Sequence, residues 1–211
     1  MLRRRPVARL QKVYHYFDYK SPYAYLAQEE AFRLGRLNNV EMDWIPYGLQ
    51  IDKYLGEAAL NDSGEDTIKT RNDHQWRRVR YSYMDCRREA NKRGLTLLGP
   101  EKIFDSSLSH IAFLFISKIA DPERFHRAVF ERFWSRVLDI ESYESITSLM
   151  KELRYSIEGF SSFVDSDGKD EYSRLQVEAE KEGIFGVPSW RINGELFWGA
   201  EHLGTISKLV E

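Results

Sequence analysis

Ser21 stands directly before Pro22, where a hydrophobic run at residues 13–17 reads as a strand and a helix begins. Serine is a favoured N-cap and proline a favoured first helical residue. The pair therefore places a hydroxyl at the positive end of a helix dipole, where an anion, including a thiolate, can be held. The same pair also makes an ordinary helix start, so Ser21 alone does not decide the chemistry. Near the other end, Val187-Pro188 leads into a short strand, an Asn193-Gly194 turn and a second strand. This is a hairpin opened by a proline, and a proline that opens a strand beside a site is often cis.

The remaining reactive residue types narrow the chemistry further. Cys86 is the only cysteine, so the chain cannot form an internal disulfide or run a dithiol exchange cycle. Ala24 occupies the place of the second cysteine of a C-x-x-C motif. Cys86 falls on an apolar stripe with Val79, Tyr83 and Ala90, and reads as a packed core residue. The five histidines, His15, His74, His110, His126 and His202, lack the paired spacing of a metal site, and no metal is expected. No phosphate-loop or dinucleotide signature is present, which argues against nucleotide cofactors.

Both ends of the chain resemble one family. The segment Phe17-Asp18-Tyr19-Lys20-Ser21-Pro22-Tyr23-Ala24-Tyr25-Leu26-Ala27 is similar to the F-D-x-x-S-P-[YF]-[SA]-Y-L-A start of the serine-type branch of the DsbA-like thioredoxin superfamily. That branch holds the 2-hydroxychromene-2-carboxylate isomerases and kappa-class glutathione transferases. Gly183-Ile184-Phe185-Gly186-Val187-Pro188 and Trp198-Gly199-Ala200-Glu201-His202-Leu203 resemble its ending, G-V-F-G-V-P followed by W-G-x-D-R-L.

The resemblance implies a thioredoxin-like α/β fold with a large all-helical insertion, and glutathione as cofactor. Ser21 would favour the glutathione thiolate. Val187 and Pro188 would hold the cysteinyl backbone by strand addition, and Ala200, Glu201 and His202 would meet the glutamyl end. Glu201-His202 replaces the family's Asp-Arg pair, and a histidine is neither a permanent charge nor a bidentate carboxylate clamp. The segment Pro100-Glu101-Lys102-Ile103-Phe104-Asp105-Ser106-Ser107 lacks the asparagine of the family's middle motif. Tyr23 and Arg88, with Arg80 as the other candidate cation, are expected to face a small anionic substrate.

The implied reaction is reversible conjugate addition of glutathione to an unsaturated aromatic acid, as in isomerisation of a hydroxychromene carboxylate. A kappa-like glutathione transferase is the alternative enzyme, and a binding protein that kept the fold without the chemistry is the alternative from another class. The resemblance also implies a homodimer.

The elements that must position these residues follow from pattern. A strand at 13–17, a helix at 22–34 and a strand at 40–46 open the fold. Residues 48–65 read as irregular. Helices are expected at 67–93, 107–119, 122–137, 142–153 and 169–182, with a break at Asp165-Ser166-Asp167-Gly168. Residues 13–50 and 184–211 thus form the thioredoxin-like domain, and 65–182 the helical insertion.

With 31 basic and 33 acidic side chains in 211 residues, no global field draws the protein to nucleic acid or to a membrane. Seven basic residues from Arg77 to Arg93, beside Trp76, Tyr81 and Tyr83, could suggest nucleic acid, but helical spacing spreads them over several faces. No window approaches the roughly 20 apolar residues of a membrane span. Met1-Leu2-Arg3-Arg4-Arg5-Pro6 reads as a short disordered lead-in without the apolar stretch of a secretory signal, and the expected location is cytoplasmic.

Overall fold

The computed structural model describes residues 10–61, 63 and 65–210. The basic lead-in at residues 1–6 lies outside the described residues. Strand β1 (Gln11–Phe17) passes into helix α1 (Pro22–Gly35), which returns the chain to strand β2 (Val40–Pro46), parallel to β1. Helix α1 starts where it does because the Ser21 hydroxyl accepts from the Ala24 N–H at 3.2 Å and Pro22 has no N–H to satisfy. Leu26, Ala27, Ala31 and Leu34 are buried, the face expected from their spacing, while Tyr23 is partly exposed.

A short helix α2 (Ile51–Leu55) and a two-stranded hairpin, β3 (Ala58–Leu60) with β4 (Asp66–Lys69), come next. This corrects the expectation of irregular chain at 48–65 followed by helix from residue 67. Helix α3 (Asp73–Lys92) begins later because Asn72 and Gln75 build a capping box: each side chain accepts from the other's backbone N–H. Helices α4 (Ser107–Ile119), α5 (Glu123–Trp134), α6 (Tyr143–Glu152), α7 (Phe160–Asp165) and α8 (Asp167–Lys181) follow.

The expected break at residues 165–168 is a tight helix-to-helix joint. Gly168 is buried inside α8, where an added Cβ would stand 2.6 Å from the Phe163 ring and 2.7 Å from Ile111. A glycine that looks like a loop marker is therefore a close-packing residue.

Strands β5 (Ser189–Ile192) and β6 (Glu195–Trp198) then form the hairpin, its Asn193-Gly194 turn having φ of 52° and 83°. The sheet order is β2-β1-β5-β6, with β5 antiparallel to both neighbours. A single 3₁₀ turn, Ala200–His202, leads into α9 (Leu203–Val210).

Two apolar cores meet this sheet. Val13, Ala27, Leu34, Trp190, Ile206 and Val210 close one between α1, the sheet and α9. The larger one joins Phe17, Tyr19 and Tyr25 to the helical block through Phe113, Phe130 and Trp134. His15, His110 and His126 are wholly buried within these aromatic layers. His15 stacks on Trp190 at 4.8 Å and bonds the Ser189 carbonyl, while His126 meets the edges of Phe17, Trp44 and Phe130. Among the described residues no helix is long and apolar enough to cross a membrane.

Burial lowers the pKa of His15 to about 3, that of His110 to about 4, and that of His126 well below 6.5. An unfolded chain protonates these rings near pH 6.5 while the native state keeps them neutral. Stability is thus full above pH 6.5 and falls as pH drops toward 4. Chemical denaturation between pH 7 and pH 4 should show about a tenfold loss of folding equilibrium constant per histidine per pH unit, a slope that His126→Phe should reduce. Gly168→Ala should lower stability by about 1–3 kcal/mol through overpacking, read as a shift in denaturation midpoint.

Candidate active site

The turn between β1 and α1 is surrounded by partners from three distant segments: the residues after β2, α4 and α5. Asp18 is fully buried, and its carboxylate accepts from the Lys20 N–H at 3.1 Å and the Leu49 N–H at 2.7 Å. The Lys20 ammonium lies 3.6 Å from the same carboxylate, and His110 Nε2 lies 3.4 Å away without the alignment of a hydrogen bond. The Tyr19 carbonyl accepts from Trp134 Nε1 at 3.1 Å, and the Ser21 N–H closes the turn on the Asp18 carbonyl at 3.0 Å. Tyr19 and His126 share a further hydrogen bond at 3.3 Å.

Ser21 Oγ, besides capping α1, donates to the Val187 carbonyl at 3.3 Å. The Val187-Pro188 peptide bond is cis, as its place in the sequence suggested. Ser189 Oγ donates to the Gly186 carbonyl at 2.7 Å, and the Gly199 N–H donates to the Pro188 carbonyl at 2.9 Å, holding this segment against β6. Two half-sites 166 residues apart in sequence are thus joined by one hydroxyl.

They open on a cavity of about 940 Å³, at the upper end of the roughly 300–1,000 Å³ of small-molecule sites. Its walls come from the start of α1, the side of α3 that carries Trp76 and Tyr83, the 99–104 segment, and Phe185, Val187 and Trp198. The volume suits a tripeptide and an aromatic molecule together. A hydroxyl at a helix N-terminus, an adjacent lysine and a backbone edge at Val187 fit the thiol and cysteinyl unit of glutathione.

Among the residues expected to form the site, Ser21, Tyr23 and Val187 line the cavity. Pro188 is buried behind it. Ala200, Glu201 and His202 do not line it, because Gly199, at φ 107°, turns the chain into a 3₁₀ turn that packs on α1. His202 rests against the Phe197 ring, and a side chain at position 199 would collide with the Glu201 carboxylate.

Arg88 is also outside the cavity, exposed and 3.2 Å from Asp85. Its neighbour Arg87 lines the cavity, together with Arg71 and Arg80. The missed residues carry a signal: Trp76, Arg80, Tyr83 and Arg87 repeat at spacings of four, three and four, one helical stripe beside that of Val79, Tyr83, Cys86 and Ala90. Lys20, adjacent to Ser21, was also legible as a cation near the site and passed over.

Cys86 is fully buried under this wall, beside the Tyr23 hydroxyl, and desolvation pushes its thiol pKa up to about 12. Burial pushes Tyr23 up to about 12 as well. Both stay protonated at neutral pH, so Cys86 is a packing residue and a poor nucleophile. Iodoacetamide at pH 8 should modify Cys86 in the native protein at least about a hundredfold more slowly than in the denatured chain, as read by mass spectrometry. Comparable rates would show the thiol to be reactive.

The pattern of the DSBA-like thioredoxin domain matches residues 12–211. The chain is 25% identical over 189 residues to a 2-hydroxychromene-2-carboxylate isomerase of Sphingobium xenophagum, spanning 89% of this chain and 92% of that protein. It is 26% identical over 191 residues to one of Pseudomonas putida, spanning 89% and 88%. A solved structure of a 2-hydroxychromene-2-carboxylate isomerase superposes with a TM-score of 0.72 at 20% identity, covering 94% of this chain and 93% of that one.

Proposed function

The chain belongs to the DSBA-like thioredoxin domain family, and we propose that it is a glutathione-dependent isomerase acting on an unsaturated aromatic acid. The observation that carries this reading is the Ser21 hydroxyl bonded across to the Val187 carbonyl at the mouth of a large, basic, aromatic-walled cavity. The names and coverage of the two relatives support it. So does the replacement of any reactive cysteine by Ser21, which leaves the nucleophile to come with a bound thiol.

Glutathione, when bound, supplies a thiol able to add to a conjugated double bond, which makes that bond transiently single and free to rotate. The chain's residues hold and orient. The Ser21 hydroxyl, released from the Val187 carbonyl, donates to the sulfur, and the N-terminus of α1 and the Lys20 ammonium favour its negative charge. The Val187 backbone presents an edge for the cysteinyl unit. Tyr83, Phe104 and Trp198 offer faces for an aromatic ring, and the cavity arginines offer partners for its carboxylate. Positioning of thiol and acceptor in one enclosed space supplies much of the acceleration such additions need. Transfer of glutathione to an electrophile would use the same groups and differ in that the thiol stays attached.

Titration calorimetry with reduced glutathione should give saturable binding, with an ultraviolet thiolate band at neutral pH. Ser21→Ala should raise the bound thiol's pKa by about one to two units, the worth of a hydrogen bond to a charged acceptor. An equal thiolate fraction in both proteins would remove Ser21 from this role. No binding at millimolar glutathione would overturn the proposal.

A further inference from the structure

The cavity lining holds seven basic side chains against one carboxylate, Glu101. Three of the seven have acidic partners: Lys20 faces Asp18, Lys102 pairs with Glu141, and Arg136 lies 3.3 Å from Glu101. Arg71, Arg78, Arg80 and Arg87 have no carboxylate within 4 Å among the described residues, although Arg36, Arg88, Arg127, Arg132, Arg174 and Arg191 elsewhere each have one.

Two of the four are held through Nε, and both act on the Tyr83 phenol. Arg71 turns Nε to the carbonyls of Leu55 and Gly56, at 3.1 and 3.2 Å, and its guanidinium lies 5.0 Å from the Trp76 ring centroid. Arg87 turns Nε to the Leu97 carbonyl at 3.4 Å, and its guanidinium lies 5.9 Å from the Tyr83 ring centroid. Both act electrostatically on the Tyr83 phenol, as does Arg136. The Tyr83 hydroxyl has no hydrogen-bond partner among the described residues, and burial raises its pKa to about 12, so it remains a donor. Two guanidinium groups held through Nε, with a phenol donor beside them, form a seat for an oxyanion.

Charge balance says how many such groups the ligands bring. This step rests on the proposed function. A glutathione thiolate carries two carboxylates, one ammonium and one sulfur anion, a net charge of minus two by its chemistry. With its sulfur anion met by the N-terminus of α1 and Lys20, a net charge of minus one faces the four arginines, so a monocarboxylate substrate would leave two of them uncompensated.

We infer that the unsaturated substrate carries two oxyanions: an apolar body with one carboxylate and a second group, carboxylate or phosphate, seated between Arg71 and Arg87 beside the Tyr83 hydroxyl. The first carboxylate then remains for the other cavity arginines. An apolar body is required because aromatic side chains, Trp76, Phe104 and Trp198, line the same cavity as the basic ones.

The experiment is calorimetric titration of the full chain at low salt with trans-cinnamate, 4-carboxycinnamate and 4-phosphonooxycinnamate, with reduced glutathione titrated separately. At least one of the two bifunctional acids should bind about tenfold or more tightly than cinnamate. Arg87→Met and Arg71→Lys should each remove most of that preference, whereas Arg88→Met, one residue along and outside the cavity, should keep it. Equal binding of cinnamate and both bifunctional acids, or a preference that survives Arg87→Met, would overturn the inference. A preference for a bifunctional acid without glutathione binding would sink the thiol chemistry and leave the seat standing, and glutathione binding without the preference would do the reverse.

Discussion

The buried carboxylate of Asp18 is the constraint on which the site depends. A charge with no exposure is tolerated only when donors surround it, and here the donors come from its own turn and from the segment after β2. Satisfying Asp18 fixes the path of residues 17–21 and so fixes where α1 begins. The same turn offers its Tyr19 carbonyl to Trp134, at the end of α5. The helical block is thereby tied to the strand–helix junction that carries Ser21. Ser21 is aimed by this bracing and then closes on Val187, so the position of one hydroxyl reports on the packing of the whole chain.

Around that junction the fold spends apolar area freely. Phe17, Tyr19, Phe113, Phe130 and Trp134 interlock with three neutral histidines in a layer that joins the sheet to α4 and α5. The rings use histidine largely as an aromatic filler: His126 has one hydrogen bond and a second nitrogen without a partner among the described residues. Such a layer is rigid because dense ring packing allows few alternative rotamers. It also shields Asp18 from water, which strengthens the attraction between its carboxylate and the Lys20 ammonium.

The cavity has the opposite character. Its walls alternate arginines with aromatic faces, and the backbone locks parts of them in place. Arg136 occupies the left-handed region at φ 60°, at the position after a helix end that glycine usually takes, and its side chain binds the Gly99 carbonyl. That link pins the 99–104 segment against the end of α5. The contrast between a neutral, close-packed layer beneath and a cationic, roomy surface above sets this face apart from the rest of the fold.

The sequence alone carried the ends of the chain well. Ser21-Pro22 and Val187-Pro188-Ser189 are local motifs whose geometry is set by their own backbone preferences, and strand β2 and helix α4 fall on their expected bounds. Helical periodicity marked α5 and α6, which bury one face each, while α4 is buried all round from Ser109 to Ile116. The hairpin at 58–69 was not legible because its strands are only three and four residues long, with no alternation to read. Gly168 looked like a break because a glycine chosen for close packing and one chosen for a turn are the same letter. Glu201 and His202 match a motif by position, but their placement depends on how the 3₁₀ turn packs on α1. Arg87 and Arg88 differ by one residue and by about a third of a turn of helix, so only the elements packed around α3 decide which of them faces the cavity. Sequence determined which groups exist and where local motifs begin. Tertiary structure decided which charges share a space, because a helix surface has no inside until something is packed against it.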